Sequence, residues 1–309
     1  MTLSDPGVTL CAGEALIALV PCDGRPLELT EALAIVAAGA ELNVAVHLAR
    51  LGLPARFAGL VGDDPFGRRV RAALVQEGVD VSTLLVQPSR PTGFYLKAVE
   101  PEGSSMRYFR RGSAASSLSE LPAGAHDGVG HLHLTGITPA LSPECARLVH
   151  RELESPKAAT TSFDVNYRSA LWDPAAAATA LHGLARLATV VFVGLDEARR
   201  LWGCPDAGSV RNLLPEPDEL VVKDGPRDAT AFTEDGSVSV AAQRVEVLDL
   251  VGAGDAFAAG YLAGRWRGEE PAEALASAHS LAVTVIGSYS DHGARGGDAS
   301  LAQARENPG

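Results

Sequence analysis

The chain has little of what marks a secreted, membrane-spanning or nucleic-acid-binding protein. Its four cysteines, Cys11, Cys22, Cys145 and Cys204, are scattered and form no Cys-X-X-Cys pair. That speaks against a disulfide framework or a thiolate zinc site and predicts reduced, buried thiols. No apolar run approaches the roughly 18 residues needed to cross a bilayer. The start, Met1-Thr-Leu-Ser-Asp-Pro6, lacks the basic-then-apolar pattern of a signal peptide, so a cytoplasmic protein is expected. Positive charge is also scarce: 26 Lys and Arg stand against 38 Asp and Glu, a formal net charge of −12. A polyanion needs clustered cations, so no nucleic-acid partner is expected, whereas a few local arginines suffice for a small anionic substrate. What is present is an ordinary globular composition, 46% hydrophobic and 21% charged. Its 309 residues can bury a large core in one big α/β domain or two smaller ones.

Short apolar, β-branched runs at 131–135, 161–165, 189–193 and 219–223 alternate with Ala/Leu-rich helical patterns. That alternation predicts βαβ units and a largely parallel sheet. A first helix is expected from Glu41 to Arg50, ended by Gly52, with Leu42, Ala45, Val46 and Ala49 on one inward face. A second follows Asp64, with Pro65 at its start and Gly78 closing it. There Phe66, Val70 and Leu74 face inward, and Arg68, Arg69 and Arg71 form a solvated face. Two stretches break the rhythm. Residues 93–99 and 105–110 flank Glu100-Pro-Glu-Gly-Ser104 and read as a hairpin, and residues 10–36 look similarly extended. Together, 10–36 and 93–112 predict a small β-stranded lid over a site. Ala229–Phe232 and Ser237–Val240 form a second hairpin around Asp235-Gly236. His131 and His133 share one strand face; without a third ligand nearby, packing is the better reading than metal binding.

The run Val251-Gly-Ala-Gly-Asp-Ala-Phe-Ala-Ala-Gly-Tyr-Leu-Ala-Gly264 carries the most chemistry. Small residues where a loop becomes a helix let backbone N–H groups close on an anion, and the helix start adds its positive dipole end. A carboxylate there, Asp255, is either a helix-start acid favoured by that dipole or a base beside a phosphate. The second reading means phosphoryl transfer to a hydroxyl. The run is no dinucleotide fingerprint, since it lacks the full Gly-X-Gly-X-X-Gly and comes late in the chain.

In order along the chain, Ala38-Gly-Ala-Glu-Leu-Asn43, Val61-Gly-Asp-Asp-Pro-Phe-Gly67 and Val251-Gly-Ala-Gly-Asp255 resemble the ribokinase-like (PfkB) family of ATP-dependent sugar kinases. Ala12-Gly-Glu14 with Leu19-Val-Pro21, Tyr108-Phe-Arg-Arg-Gly-Ser-Ala114, Thr135-Gly-Ile-Thr-Pro-Ala-Leu-Ser-Pro143 and Asp164-Val-Asn-Tyr-Arg168 are similar to its 2-keto-3-deoxygluconate kinase branch. The resemblance implies one ribokinase-like kinase domain over 1–309, a three-layer αβα sandwich with a mostly parallel sheet and the β lid. It implies ATP as phosphate donor, Mg²⁺ as charge bridge and room for a monovalent cation. Asp255 would be the base, and the N–H groups of Gly252, Ala253 and Gly254 would face the transferring phosphoryl group. Gly39, Ala40 and Asn43 would meet the sugar hydroxyls, with Ile137 and Asp291 as further substrate contacts. Arg110 and Arg168 would take the carboxylate that distinguishes this acid from a neutral sugar, beside Tyr95 and Tyr108.

Nucleotide contacts would come from Asn166, Arg168, Gly194, Lys223, Gly225, Asp228 and His279. Glu197 would act through water on Mg²⁺ or serve only as a helix-start acid; Asp249 would lie near a cation or be structural. The sequence departs from the family pattern at Ala38, at Asp228 and in Gly194-Leu-Asp-Glu197, which leaves the preferred nucleotide open. A fructokinase, a 2-keto-3-deoxygalactonate kinase and a sugar-acid-binding homologue without strong catalysis remain alternatives. Exposed lid strand edges predict a homo-oligomer paired through the lid.

Overall fold

The structure is a computed structural model, and it describes residues 5–22, 25–100, 103–243, 245 and 251–286. The chain opens with strands β1 (Val8–Ala12), β2 (Leu16–Pro21) and β3 (Leu33–Ala38), followed by helix α1 (Ala40–Arg50). Strand β4 (Ala55–Gly62), helix α2 (Pro65–Gln76) and strands β5 (Leu84–Gln87), β6 (Phe94–Glu100) and β7 (Gly103–Phe109) come next. The middle alternates β8 (Val129–Thr135), α3 (Pro143–Glu154), β9 (Thr160–Asp164), α4 (Pro174–Ala185), β10 (Val190–Gly194), α5 (Leu195–Trp202), α6 (Ala207–Leu213) and β11 (Glu219–Lys223). The hairpin β12 (Asp228–Thr233) and β13 (Gly236–Ala241) precedes α7 (Ala253–Trp266) and α8 (Pro271–Ile286).

Among the described residues, nine strands form one sheet in the order β13-β12-β11-β10-β9-β8-β1-β4-β5. It is parallel from β11 to β5, and among the described residues its antiparallel pairings are β11–β12 and β12–β13 at one edge. Parallel strands need cover on both faces, and the side chains show it. Val190 and Phe192 of β10 enter a core shared with α1, α2, α7 and α8, while Val191 and Val193 enter the opposite core with α3 to α6. The result is the expected three-layer α/β sandwich.

A second sheet, ordered β3-β2-β6-β7, sits apart with its own small core of Leu16, Ala18, Val20, Ala38 and Tyr95. Residues 10–12 do not belong to it. Leu10 and Ala12 point into one main core and Cys11 into the other, so β1 is a central parallel strand. The second sheet therefore spans 16–38 and 94–109, shorter than expected at its start.

Local signals set the helix ends. The Asp64 side chain accepts from the Gly67 N–H at 2.7 Å, with Pro65 at the first helical position. On α1 the one-face expectation fails, because every residue from Ala40 to Leu48 is buried. Helix α7 packs against α1, where Asn43 meets Asp255, while Glu41 turns to Thr135 of β8 and to Thr138. Cys11, Cys145 and Cys204 are buried free thiols, and Cys22 is half-buried.

Candidate active site

A cleft of about 810 Å³ opens at the carboxyl ends of the parallel strands, between the two sheets. Its floor is the start of α7. Gly252 caps that helix with φ 80°, a left-handed turn suited to glycine. Asp255 follows in the first turn and is buried. Asn43 Nδ2 donates to its Oδ2 at 2.7 Å, and Asn166 Nδ2 donates to Oδ1 at 3.3 Å. Burial raises the Asp255 carboxyl from 3.8 to about 7. The Asn43 hydrogen bond opposes this, the Asp164 charge adds to it, and Arg168 and Lys223 oppose it further. A carboxyl poised near neutrality both takes and returns a proton.

Lys223 ends β11 with its Nζ 2.9 Å from Asp164 Oδ2. Burial lowers the lysine's proton affinity, but Asp164 and Glu197 outweigh it and the net shift is upward, so the group stays cationic. A Cβ on Gly254 would lie 3.6 Å from that Nζ, which places the ammonium against the first turn of α7. Asn166 adopts φ 40°, left-handed for a residue with a side chain. Its own N–H donates to Asp164 Oδ1 at 3.2 Å, and that bend brings its amide to Asp255.

The opposite wall starts at Gly39. With φ 146°, a Cβ there would fall 2.2 Å from the Glu14 carbonyl oxygen, so only glycine fits. Ala40 and Asn43 continue from it into the cleft, and Ile137 faces them. The second sheet contributes Tyr95 and Tyr108, tilted against each other with centroids 5.3 Å apart. Arg110 lies over the Tyr108 ring at 3.8 Å and pairs with Glu14 at 2.6 Å. Arg168 lines the same cleft, is exposed, and has no ion-pair partner among the described residues.

Of the residues singled out in the sequence, Gly39, Ala40, Asn43, Tyr95, Tyr108, Arg110, Ile137, Asn166, Arg168, Gly194, Glu197, Lys223, Gly225, Gly252, Gly254 and Asp255 all line this cleft. Ala253 lies between two lining glycines as the first residue of α7. Asp249 and Asp291 lie outside the described residues. Asp228 is not part of the lining; its carbonyl accepts the Asp224 N–H at 2.8 Å and closes a turn in which Gly225 takes the positive φ. His279 is likewise absent from it. Its Nε2–H donates to the Val240 carbonyl at 3.1 Å and its ring meets Phe257 edge-on, between α8, β13 and α7.

Glu197 shows the helix-start arrangement: its two oxygens accept the N–H groups of Gly194 and Tyr167, each at 2.7 Å. His131 and His133 are fully buried and bonded to Thr160 and Ser162. Burial drives their pKa values down to about 3 and about 4, so both are neutral packing groups.

Three acids escaped the sequence reading. Glu14 and Asp164 stood inside runs already singled out, but their roles depend on partners far along the chain. Glu41 lies beside Gly13, its Oε1 accepts the hydroxyls of Thr135 (2.8 Å) and Thr138 (2.7 Å), and burial lifts it to about 7. The only sequence signal was a charged residue in an otherwise apolar helix start.

N–H groups at a helix start attract an anion, while a carboxylate in the same turn repels one unless it can hold a proton. Transfer of a phosphoryl group to a hydroxyl reconciles the two, because the hydroxyl's proton reaches the carboxylate as the anion arrives. The fold and the cleft are those of a small-molecule kinase. Residues 9–294 match the profile of the pfkB family carbohydrate kinases, and the chain belongs to that family. It is 38% identical over 237 residues to the 2-dehydro-3-deoxygluconokinase of Bacillus subtilis, covering 74% of this chain and 73% of that protein. The 2-dehydro-3-deoxygluconokinase of Thermoproteus tenax is 34% identical over 289 residues, 91% of this chain and 88% of its own. Among solved structures, a PfkB protein from Polaromonas sp. JS666 superposes with a TM-score of 0.81 at 34% identity, covering 90% of this chain and 95% of its own.

Proposed function

We propose that the protein transfers the γ-phosphate of ATP to the primary hydroxyl of 2-keto-3-deoxygluconate (2-dehydro-3-deoxygluconate), giving the 6-phosphate. The chain works as one domain over 1–309, with the second sheet as a lid. The observation that carries the substrate is the presence of Arg110 and Arg168, two of the three arginines that line the cleft holding Asp255. A neutral sugar needs neither, whereas a carboxylate is matched by guanidinium donors.

Asp255 takes the proton of the hydroxyl, and the two asparagine amides that donate to it fix its orientation. The N–H groups of Gly252, Ala253 and Gly254, with the Lys223 ammonium that Asp164 holds, face the anionic side. The two relatives named for this activity support the same reading. Among the described residues no cluster of three or more His, Cys, Asp or Glu forms a metal cage. That suits Mg²⁺, which takes most of its ligands from phosphate and water. Asp164 and Glu197 are the cleft acids near Lys223 that would hold it through water, since their oxygens already accept protein donors. Bound there, Mg²⁺ would neutralise phosphate charge. Asp249 stands as the acid for a monovalent cation.

Replacing Arg168 by Ala tests the substrate. It is expected to lower kcat/KM for the acid by roughly 10–100-fold, the scale of a charge-assisted hydrogen bond, and to change turnover of fructose far less. Equal losses would overturn the carboxylate assignment. A specific observation favours a neutral ketose as second reading: Glu14 already balances the charge of Arg110. The same panel decides it, and 2-keto-3-deoxygalactonate in the panel separates the C4 isomers.

The outer face of the lid exposes Leu33, Ile35 and Phe109. This apolar strip supports pairing with a second copy, and a monomer by light scattering at micromolar concentration would contradict it. No helix among the described residues is long and apolar enough to cross a membrane, and we place the enzyme in the cytoplasm.

A further inference from the structure

Glu14 lies in the loop leaving β1 of the large sheet, and Arg110 follows the last lid strand, β7. Their ion pair, Nη1 to Oε2 at 2.6 Å, therefore joins the two sheets across the cleft. Both side chains are more than nine-tenths buried, with 8% and 3% of their surfaces exposed. A guanidinium offers five N–H donors along two usable edges. Glu14 occupies Nη1, and the ring of Tyr108 covers one flat face. Among the described residues the other edge, Nε with Nη2, meets no acceptor: Nε is buried without a partner there, and Nη2 makes no bond to them. A buried donor left unsatisfied is costly, and this edge has the spacing of a carboxylate's two oxygens.

We propose that Glu14 is a positioning residue that sets specificity for the acid. By accepting from Nη1 it fixes the rotation of the Arg110 guanidinium, so that the Nε–Nη2 edge is reserved for the carboxylate of the substrate. It also keeps the empty cleft from holding an uncompensated buried cation, which would otherwise recruit any small anion. Glu14 itself does not touch the sugar. This inference rests on the sugar-acid reading above.

The test uses the full chain with Glu14→Ala, Glu14→Gln, Arg110→Ala and the double variant Glu14→Ala/Arg110→Ala, assayed with 2-keto-3-deoxygluconate and ATP. Glu14→Ala is expected to raise KM for the acid roughly tenfold or more, the loss of one well-aimed charge-assisted contact. The kcat and the KM for ATP should stay within about threefold, which general damage to the fold would not allow. Glu14→Gln keeps an oxygen within reach of Nη1 and should restore most of the acid KM. The double variant should be no worse than Arg110→Ala alone, because Glu14 acts only through Arg110. An unchanged acid KM in Glu14→Ala, equal rises in both KM values, or full additivity in the double variant would overturn the proposal. Should Glu14→Ala fail to fold, Glu14→Asp withdraws the acceptor by one methylene and carries the same expectation at roughly fivefold. Wild-type protein that turns over fructose but not the acid would instead remove the sugar-acid reading itself, and the proposal with it.

Discussion

Asp255 is held in its working state against the interest of stability, and Asp255→Asn measures the cost. Burial is the main cause that lifts its carboxyl from 3.8 to about 7 in the folded chain. Each pKa unit corresponds to about 1.4 kcal/mol, so a rise of about three units is worth ~4 kcal/mol. The folded state keeps its proton up to about pH 7, whereas the unfolded chain releases it near 3.8. The stability linked to this proton is therefore complete below 3.8 and is lost as pH rises through 7. At pH 8 the loss is ~4 kcal/mol, and at pH 4.5 it is only about 1 kcal/mol.

Asparagine fills the same space without a charge. Its oxygen can accept from Asn43 Nδ2, and its amide can donate to Asn166 Oδ1, which is buried without a partner. The variant should lose roughly 10²-fold or more in kcat, as for other positioned bases. It should also unfold later in urea at pH 8, by up to ~4 kcal/mol, with the advantage shrinking to about 1 kcal/mol at pH 4.5. Other titrations, including those of the buried histidines, act on both proteins and cancel in the difference. Equal or lower stability of the variant at pH 8, or a gap that ignores pH, would refute the reasoning. So would wild-type kcat that stays flat as pH falls well below 7.

Two other perturbations test the frame around the base. In Gly13→Ala the new Cβ would sit 2.3 Å from Glu41 Cδ and 2.5 Å from Thr138 Oγ1. The expected loss is about 1–3 kcal/mol in a thermal melt, and an unchanged melting point would mean that this junction relaxes freely. For His133 the sign is opposite to that of Asp255: burial lowers its pKa from 6.5 to about 4, so its contribution is intact above 6.5 and is lost as pH falls toward 4. His133→Gln should therefore flatten the fall in urea stability between pH 7 and 4.5 by roughly 2 kcal/mol, and parallel curves would refute it.

The parts of the fold readable in the sequence were those set by local physics. The strand 219–223 and the hairpin turn at Asp235-Gly236 follow from short-range pattern, and the structure has them at those places. Strand β1 was misread as lid because Val8–Ala12 and Leu16–Pro21 are both short apolar runs. Only their partners, β4 and β8 for one and β3 and β6 for the other, tell them apart. The solvent face expected on α1 is likewise absent; α7, which packs against α1, lies more than 200 residues further on, as the 212-residue separation of Asn43 and Asp255 shows.

The site divides in the same way. Residues that would meet the substrate sit in contiguous runs, because a ligand is met by turns at strand ends and helix starts, and those turns have residue preferences that can be recognised. Residues that tune the site carry no such mark. Glu14 acts on Arg110 from 96 residues away, and Glu41 acts on Thr135 and Thr138 from 94 and 97. In sequence each is one more acid in a chain with net charge −12. In the fold, Glu14, Asp164 and Asp255 are buried carboxylates lining the cleft and Glu41 is buried against Thr135 and Thr138, and each is met by a specific donor. A buried charge survives only with such partners, so its chemistry is a property of the pair. The reaction type is thus written in residues that stand together in the chain. The state of the base and the rotation of the arginine are written in pairs that only folding brings together.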